Sequence, residues 1–136
     1  MVIGTYDGIY RYDPRTQVLE HRNHRSGDPA SLASNTVREI VRVGRDWWYA
    51  TSRGISIARG NSLPVGFTSL LHRRGDTSSL PQDYISSLMA ADDGRVWAST
   101  LGGLSVGHHE GDYSWRAQTI DTRDGLSSDN VNTVLA

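Results

Sequence analysis

The feature that most constrains this chain is an internal repeat with a period of 46 to 49 residues. The best-formed copy covers residues 93–106 and reads Asp-Gly-Arg-Val-Trp-Ala-Ser-Thr-Leu-Gly-Gly-Leu-Ser-Val. A threonine ahead of a turn glycine marks each copy, with spacings of 46 and 49 residues, at Thr5, Thr51 and Thr100. A later leucine recurs at spacings of 48 and 46 residues, at Leu32, Leu80 and Leu126. Because two independent markers keep one period, the chain repeats a single supersecondary unit.

Each copy has the pattern of a β-hairpin. In the first copy an apolar run leads through Thr5 into Asp7-Gly8, and a second alternating run follows. Asp-Gly between two such runs favours a tight turn, because both central residues tolerate positive φ. Armadillo and HEAT repeats have a similar period, but they need helices where these turns and β-branched runs recur. Four short strands in each period are typical of a β-propeller blade.

The sequence therefore predicts an all-β chain of about three four-stranded antiparallel β-propeller blades in permuted register. With the strand after each long connection as the innermost strand A, the chain runs B-C-D, A-B-C-D, A-B-C-D, A. The predicted blades are residues 1–35, 36–83 and 84–130, and residues 131–136 form the inner strand of a next or closing blade. Outer strands are predicted at residues 17–22, 67–73 and 114–121, the last after a turn at residues 111–112. The strand from Thr36 alternates imperfectly, and only the repeat favours strand over a short helix there.

Three blades leave an open edge at each end of the array. Propellers close with roughly four to eight blades, and open sheet edges invite pairing with another strand. We therefore expect either a fragment that continues into further blades or a homo-oligomer that closes a ring, with a dimer giving six blades.

Composition excludes several classes of function. The formal net charge is −1, so the chain has no electrostatic reason to bind nucleic acid or an anionic membrane. The absence of cysteine excludes disulfides, thiolate catalysis and cysteine metal sites. No apolar run approaches the roughly 18 residues of a membrane helix, and Met1-Val2-Ile3-Gly4 lacks the features of a signal peptide. Contact with a membrane is expected only through regions absent from this sequence.

Two motifs link the chain to a known family. The first precedes each inner strand, as Leu32-Ala33-Ser34-Asn35-Thr36-Val37, Leu80-Pro81-Gln82-Asp83-Tyr84-Ile85 and Leu126-Ser127-Ser128-Asp129-Asn130-Val131. The second is Asp92-Asp93-Gly94-Arg95-Val96-Trp97-Ala98-Ser99-Thr100. Together they resemble the two-component-regulator propeller repeat of large bacterial sensor proteins. The middle copy departs from the family pattern, with Val43-Gly44-Arg45-Asp46 in place of the Asp-x-Asp-Gly turn and Arg53-Gly54 in place of paired glycines.

The resemblance implies a periplasmic or extracellular sensing region. In that family it precedes a membrane segment and a histidine-kinase or diguanylate-cyclase output module, neither of which this sequence contains. The implied function is non-catalytic: a propeller segment of a signal-transduction receptor that binds a small molecule, a glycan or a protein. Two alternatives stay open, namely a propeller hydrolase or lyase with carboxylates from adjacent blades, and a structural protein-interaction ring.

Candidate ligand-binding residues lie on the loops at one face, where a rigid scaffold usually presents them. They are Tyr6, Asp7, Asp28, Arg53, Arg73, Arg74, Asp76 and Asp124. Arg73 and Arg74, beside Arg53, are suited to holding a carboxylate or sulfate in bidentate fashion. Trp48 and Trp97, which occupy equivalent positions, are interpreted as packing residues.

The sequence predicts no catalytic residues, no metal site and no cofactor. Gly-x-Ser-x-Gly, dinucleotide and P-loop patterns are all missing. His21 and His24 fall on opposite faces of a strand, as do His108 and His109, while His72 is isolated. Residues 121–125 suggest a calcium loop, but the acidic twelfth ligand is missing, so turn chemistry is the better interpretation.

Overall fold

A computed structural model describes residues 1–108 and 115–135. The predicted all-β class is confirmed, since these residues form eleven strands and one short 3₁₀ turn. The strands are β1 (Val2–Thr5), β2 (Gly8–Asp13), β3 (Val18–Arg22), β4 (Val37–Val43), β5 (Asp46–Thr51), β6 (Gly54–Ala58), β7 (Thr68–Leu70), β8 (Ile85–Ala90), β9 (Arg95–Thr100), β10 (Gly103–His108) and β11 (Gln118–Ile120). The turn is η1 (Thr122–Asp124), and no helix of the described residues is long enough to cross a membrane.

The strands form three antiparallel sheets, each with its strands in chain order. Sheet 1 is β1-β2-β3, sheet 2 is β4-β5-β6-β7, and sheet 3 is β8-β9-β10-β11. Sheet 1 has three strands, as in the predicted B-C-D unit, and sheets 2 and 3 have four each. The described residues do not close into a ring. The outer strands β7 and β11 are shorter than predicted, and residues 111–112 and 114 lie outside the described residues.

The inner strands of sheets 2 and 3 share an irregularity. The pairing of β4 with β5 shifts between Val37 and Glu39, and that of β8 with β9 shifts between Ile85 and Ser87. A β-bulge puts two residues opposite one and so breaks strict alternation. The bulge explains why the periodicity of this segment left strand and helix unresolved.

Two apolar clusters hold the sheets together. The first joins sheets 1 and 2 and consists of Ile9, Leu32, Val37, Tyr49, Ala58, Leu63 and Phe67. The second joins sheets 2 and 3 and consists of Val43, Trp48, Ala50, Ile55, Ile57, Leu80, Ile85, Leu88, Val96, Ala98 and Trp115. The first strand of each sheet contacts the first strand of the next, β1 with β4 and β4 with β8. Each sheet therefore depends on its neighbour for a buried face.

The equivalent tryptophans have different surroundings. Trp48 is 1% exposed, and its ring centroid lies 6.1 Å from that of Trp115, which precedes the outer strand β11 of sheet 3. The prediction that it packs between neighbouring sheets is thus confirmed. Trp97 is only half-buried, and the Arg95 guanidinium lies 5.5 Å above its ring.

Residues 131–135 lie beside sheet 3 without forming a hydrogen-bonded strand. The Val131 N–H donates to the Thr100 carbonyl at 3.0 Å, and the Ser86 hydroxyl donates to the Val131 carbonyl at 2.7 Å. The Thr133 hydroxyl donates to the Ser87 hydroxyl at 3.4 Å. A strand needs a partner strand, which the described part of the chain does not offer here. The inner strand at 131–136 thus stays a prediction, and Ala136 lies outside the described residues.

Candidate functional site

The hairpin turn of every repeat is built by the same threonine and glycine. The hydroxyl of Thr51 donates to the Gly54 carbonyl at 2.8 Å and accepts the Arg53 N–H at 3.1 Å. Thr100 makes the same pair of bonds at 2.7 and 3.0 Å, and Thr5 at 3.0 and 2.9 Å. The threonine that marks each repeat therefore fixes the hairpin turn.

The glycine of each turn ties a sheet to the connection that follows it. Gly8 and Gly103 donate their N–H groups to the carbonyls of Asn35 and Asp129, both at 2.7 Å, and Gly54 donates to Asp83. All three glycines have positive φ, between 95° and 113°. The turn and the connection therefore form one rigid unit on the loop face of every sheet.

The first two connections, residues 23–36 and 71–84, are near copies of each other. In the first, His24 Nδ1 lies 2.6 Å from the Leu32 carbonyl, and in the second His72 Nδ1 lies 2.7 Å from the Leu80 carbonyl. The backbone N–H groups of Arg25 and Arg73 each donate to a serine hydroxyl at 2.9 Å. His72 is therefore not isolated, because it has the structural role that His24 has 48 residues earlier.

A cleft lies between each of these connections and the sheet that follows it in the chain, sheet 2 for the first connection and sheet 3 for the second. The first cleft has a volume of about 190 Å³, and its lining includes His24, Asp28, Arg53, Leu71 and Asp83. The second cleft is larger, about 380 Å³, and its lining includes His72, Arg73, Asp76, Gly102, Thr119, Asp121 and Arg123. The two clefts occupy equivalent places in consecutive repeats, so their differing residues can give them different ligand preferences.

The carboxylates of the second cleft are held by donors of the protein itself. Asp76 accepts the Ser78 hydroxyl at 2.6 Å and the Ser78 N–H at 2.9 Å, and these bonds lower the pKa of the Asp76 carboxyl. Hydrogen bonds from the Arg123 side chain and N–H lower the pKa of Asp121, which is 6% exposed. A general acid needs a raised pKa. These two carboxylates therefore suit a structural role rather than acid catalysis.

Two groups of the second cleft are left for a ligand. Because the Leu80 carbonyl can only accept, Nδ1 of His72 carries the proton in their bond, and Nε2 is left for another partner. The Arg73 side chain is exposed, and its guanidinium makes no hydrogen bond to the described residues. The cleft can thus offer a guanidinium donor and an imidazole nitrogen to one ligand.

The candidate aspartates mainly stabilise loops. Asp28 accepts the Ala30 N–H at 3.0 Å and the Arg25 guanidinium at 2.8 Å. Asp124 accepts the Asp121 N–H at 3.1 Å in the capping box of η1. This capping agrees with the interpretation of residues 121–125 as a turn. Asp28, Asp76 and Asp124 are therefore occupied by the protein's own donors.

The remaining candidates are spread over the loop face. Tyr6 is 85% exposed at the tip of the first hairpin. The neighbouring Asp7 carboxylate accepts the Tyr10 hydroxyl at 3.3 Å, and the Tyr10 ring stacks on His21 at 4.2 Å. Arg53 lines the first cleft with Asp28, whereas Arg73 lines the second with Asp76; Arg74 is exposed. The structure thus places Arg53 and Arg73 in different clefts.

Among the lining residues of the second cleft that were not predicted as site residues are His72, Thr119, Asp121 and Arg123. A signal for His72 was present, because His-Arg-x-Gly-Asp occurs at residues 24–28 and again at residues 72–76. Thr119 and Arg123 carried no such signal, since they reach the cleft from a different repeat. Among the described residues, no group of three or more His, Asp or Glu side chains is placed to hold a metal ion.

The fold recurs in extracellular domains of bacterial two-component systems. The extracellular domain of the protein assigned as hybrid two-component system BT3049 from B. thetaiotaomicron is 26% identical with a TM-score of 0.67. That of BT4673 from the same organism is 18% identical with a TM-score of 0.69. The predicted resemblance to two-component regulators is confirmed.

These likenesses cover most of this chain but little of the neighbours. The matches include 88% and 99% of this chain, and 16% and 17% of BT3049 and BT4673, respectively. The chain thus spans less than a fifth of the extracellular domains that it resembles. No protein-family model and no curated protein matches the sequence.

Proposed function

We propose that the chain is a ligand-sensing segment of the extracytoplasmic region of a bacterial two-component receptor, with its three sheets as consecutive propeller blades. Three observations support the proposal. The sheets repeat one turn-and-connection unit, the first strands of consecutive sheets contact each other, and the structural neighbours are extracellular domains of two-component systems. The segment is proposed to bind rather than to catalyse, since the lowered pKa values of Asp76 and Asp121 do not suit a general acid in the second cleft.

The second cleft is the proposed ligand site. This choice rests on the position of the Arg73 guanidinium, which borders the cleft. The Asp76 carboxylate beside it already accepts a hydrogen bond from Ser78, so Arg73 can bind an anionic ligand. A guanidinium binds carboxylates and sulfates through paired N–H donors. His72 Nε2 can accept a hydrogen bond from a ligand hydroxyl. The ligand class is therefore a small hydroxylated molecule that carries a carboxylate or a sulfate.

Calorimetric titration with glucuronate and glucose tests this site. We expect glucuronate to bind and glucose to bind at least about tenfold more weakly, because a hydrogen bond to a charged group contributes roughly 1.5–3 kcal/mol. Arg73→Gln should abolish that preference. Arg74→Gln is the matched control, since Arg74 adjoins Arg73 in sequence but does not line the second cleft. Equal affinities for the two sugars, or equal losses in the two variants, would reject the site.

A further inference from the structure

The first cleft differs from the second at two positions that decide which ligand can bind. Arg53, at the tip of the β5–β6 hairpin, occupies the place that Gly102 has in the second cleft. Leu71 directly follows the outer strand β7 and is 44% exposed, whereas Asp121 directly follows the equivalent strand β11. The first cleft therefore has a cation at the hairpin tip and an apolar side chain where the second cleft has a carboxylate.

Two groups of opposite charge border the first cleft. The Arg53 side chain is exposed, and its guanidinium makes no hydrogen bond to the described residues. Asp83 enters the cleft from the following connection, where its Oδ1 accepts the His72 N–H at 2.7 Å. Oδ2 of Asp83 has no hydrogen-bond donor among the described residues, and the two side chains form no ion pair with each other. A molecule that carries both a carboxylate and an ammonium group can therefore satisfy both.

The hydroxyl of Ser69 in β7 is an independent indication of a ligand in this cleft. Ser69 lines the cleft, and its Oγ is buried without a hydrogen-bond partner among the described residues. A buried polar group without a partner costs free energy, so most such groups in proteins are paired. A molecule bound in the cleft would supply the partner that Ser69 lacks.

The size and the walls of the first cleft limit the ligand further. Its volume of about 190 Å³ lies below the roughly 300–1,000 Å³ of pockets for drug-sized ligands. The ligand is therefore a small metabolite rather than a chain of sugars. Pro29, Ala33 and Leu71 give the cleft an apolar wall, against which an apolar group of the ligand would lose its contact with water.

We propose that the first cleft binds a free amino acid with an apolar side chain. The carboxylate of the amino acid binds Arg53, its ammonium group binds Asp83, and its side chain packs against Leu71. This site is separate from the second cleft and takes a different class of ligand, so one segment can respond to two kinds of molecule.

Calorimetric titration of the intact chain tests the ligand class with three probes. L-leucine should bind, and 4-methylpentanoate, which lacks only the ammonium group, should bind at least about tenfold more weakly because Asp83 then has no partner. Glycine, which lacks the apolar side chain, should also bind at least about tenfold more weakly. The absence of leucine binding, or equal affinities for leucine and 4-methylpentanoate, would overturn the proposal.

Substitutions test whether leucine occupies this cleft. Arg53→Gln should weaken leucine binding at least about tenfold, and so should Asp83→Asn, which keeps an acceptor for the His72 N–H. The matched control is Arg45→Gln, because Arg45 is an equally exposed arginine in the turn at the other end of β5. Equal losses in the Arg53 and Arg45 variants would reject the site.

A competition titration separates this proposal from the one for the second cleft. Saturating glucuronate should leave the affinity for leucine unchanged, because the two ligands occupy different clefts. Displacement of leucine by glucuronate would place both in one cleft and overturn the proposal. The leucine titrations have the same expected outcome whether or not glucuronate binds, so failure of one site is distinguishable from failure of the other.

Discussion

At the scale of single residues, the turn glycines leave little room for any other residue. Gly54 has a φ of 95°, and a Cβ at that position would overlap the Leu70 carbonyl of the outer strand β7. Its N–H also donates to Asp83 in the connection. The backbone conformation and the close approach to Leu70 thus both require glycine at position 54, and a larger residue would also disturb the hydrogen bond to Asp83.

Replacing Gly54 by alanine should therefore lower the free energy of unfolding by far more than the strain of the backbone conformation alone would. We expect Gly54→Ala to lower the free energy of unfolding by about 3–5 kcal/mol, from left-handed strain plus a disrupted buried hydrogen bond. Gly94→Ala is the control, because Gly94 has a φ of 83° with open space around its missing Cβ. It should cost only about 1–2 kcal/mol. Urea denaturation measures both, and similar losses would show that close approach to Leu70 is unimportant.

At the scale of elements, local patterns predicted the hairpins but not what holds them together. The Thr51 and Gly54 turn follows from residues that are neighbours in the chain, so sequence could place it. The second cleft joins a connection of one repeat to Thr119 and Arg123 of the next, and a pairing over that separation leaves no periodic trace. Comparing the two repeats could have identified His72, because it recurs at the position of His24; considering each histidine by itself did not.

The interface between sheets 2 and 3 allows a test with two equivalent tryptophans. Trp48→Ala should lower the free energy of unfolding by about 3–5 kcal/mol, because it removes a fully buried ring in contact with Trp115. Trp97→Ala should cost about 1–2 kcal/mol, since it removes a half-buried ring and one cation–π contact. Thermal and urea unfolding measure the difference. Equal costs would mean that the buried face of Trp48 does not join the sheets.

At the scale of the whole molecule, the contacts between sheets 2 and 3 should contribute more to stability than those between sheets 1 and 2. An array of repeats is stabilised mainly by contacts between neighbours. The cluster between sheets 2 and 3 contains eleven buried residues, against seven in the cluster between sheets 1 and 2. The larger cluster also contains the Trp48 and Trp115 pair, so most of the buried apolar surface lies toward the third repeat.

Removing one repeat from either end should therefore have different consequences. A chain of residues 36–136 keeps the larger cluster and should retain a cooperative thermal transition. A chain of residues 1–83 loses sheet 3, exposes Trp48 and Ile57, and should lose that transition, because the remaining cluster leaves sheet 2 half uncovered. Calorimetry together with tryptophan fluorescence distinguishes the two, with a red-shifted emission expected for residues 1–83. A cooperative transition in that shorter chain would show that the cluster between sheets 1 and 2 suffices to hold two sheets together.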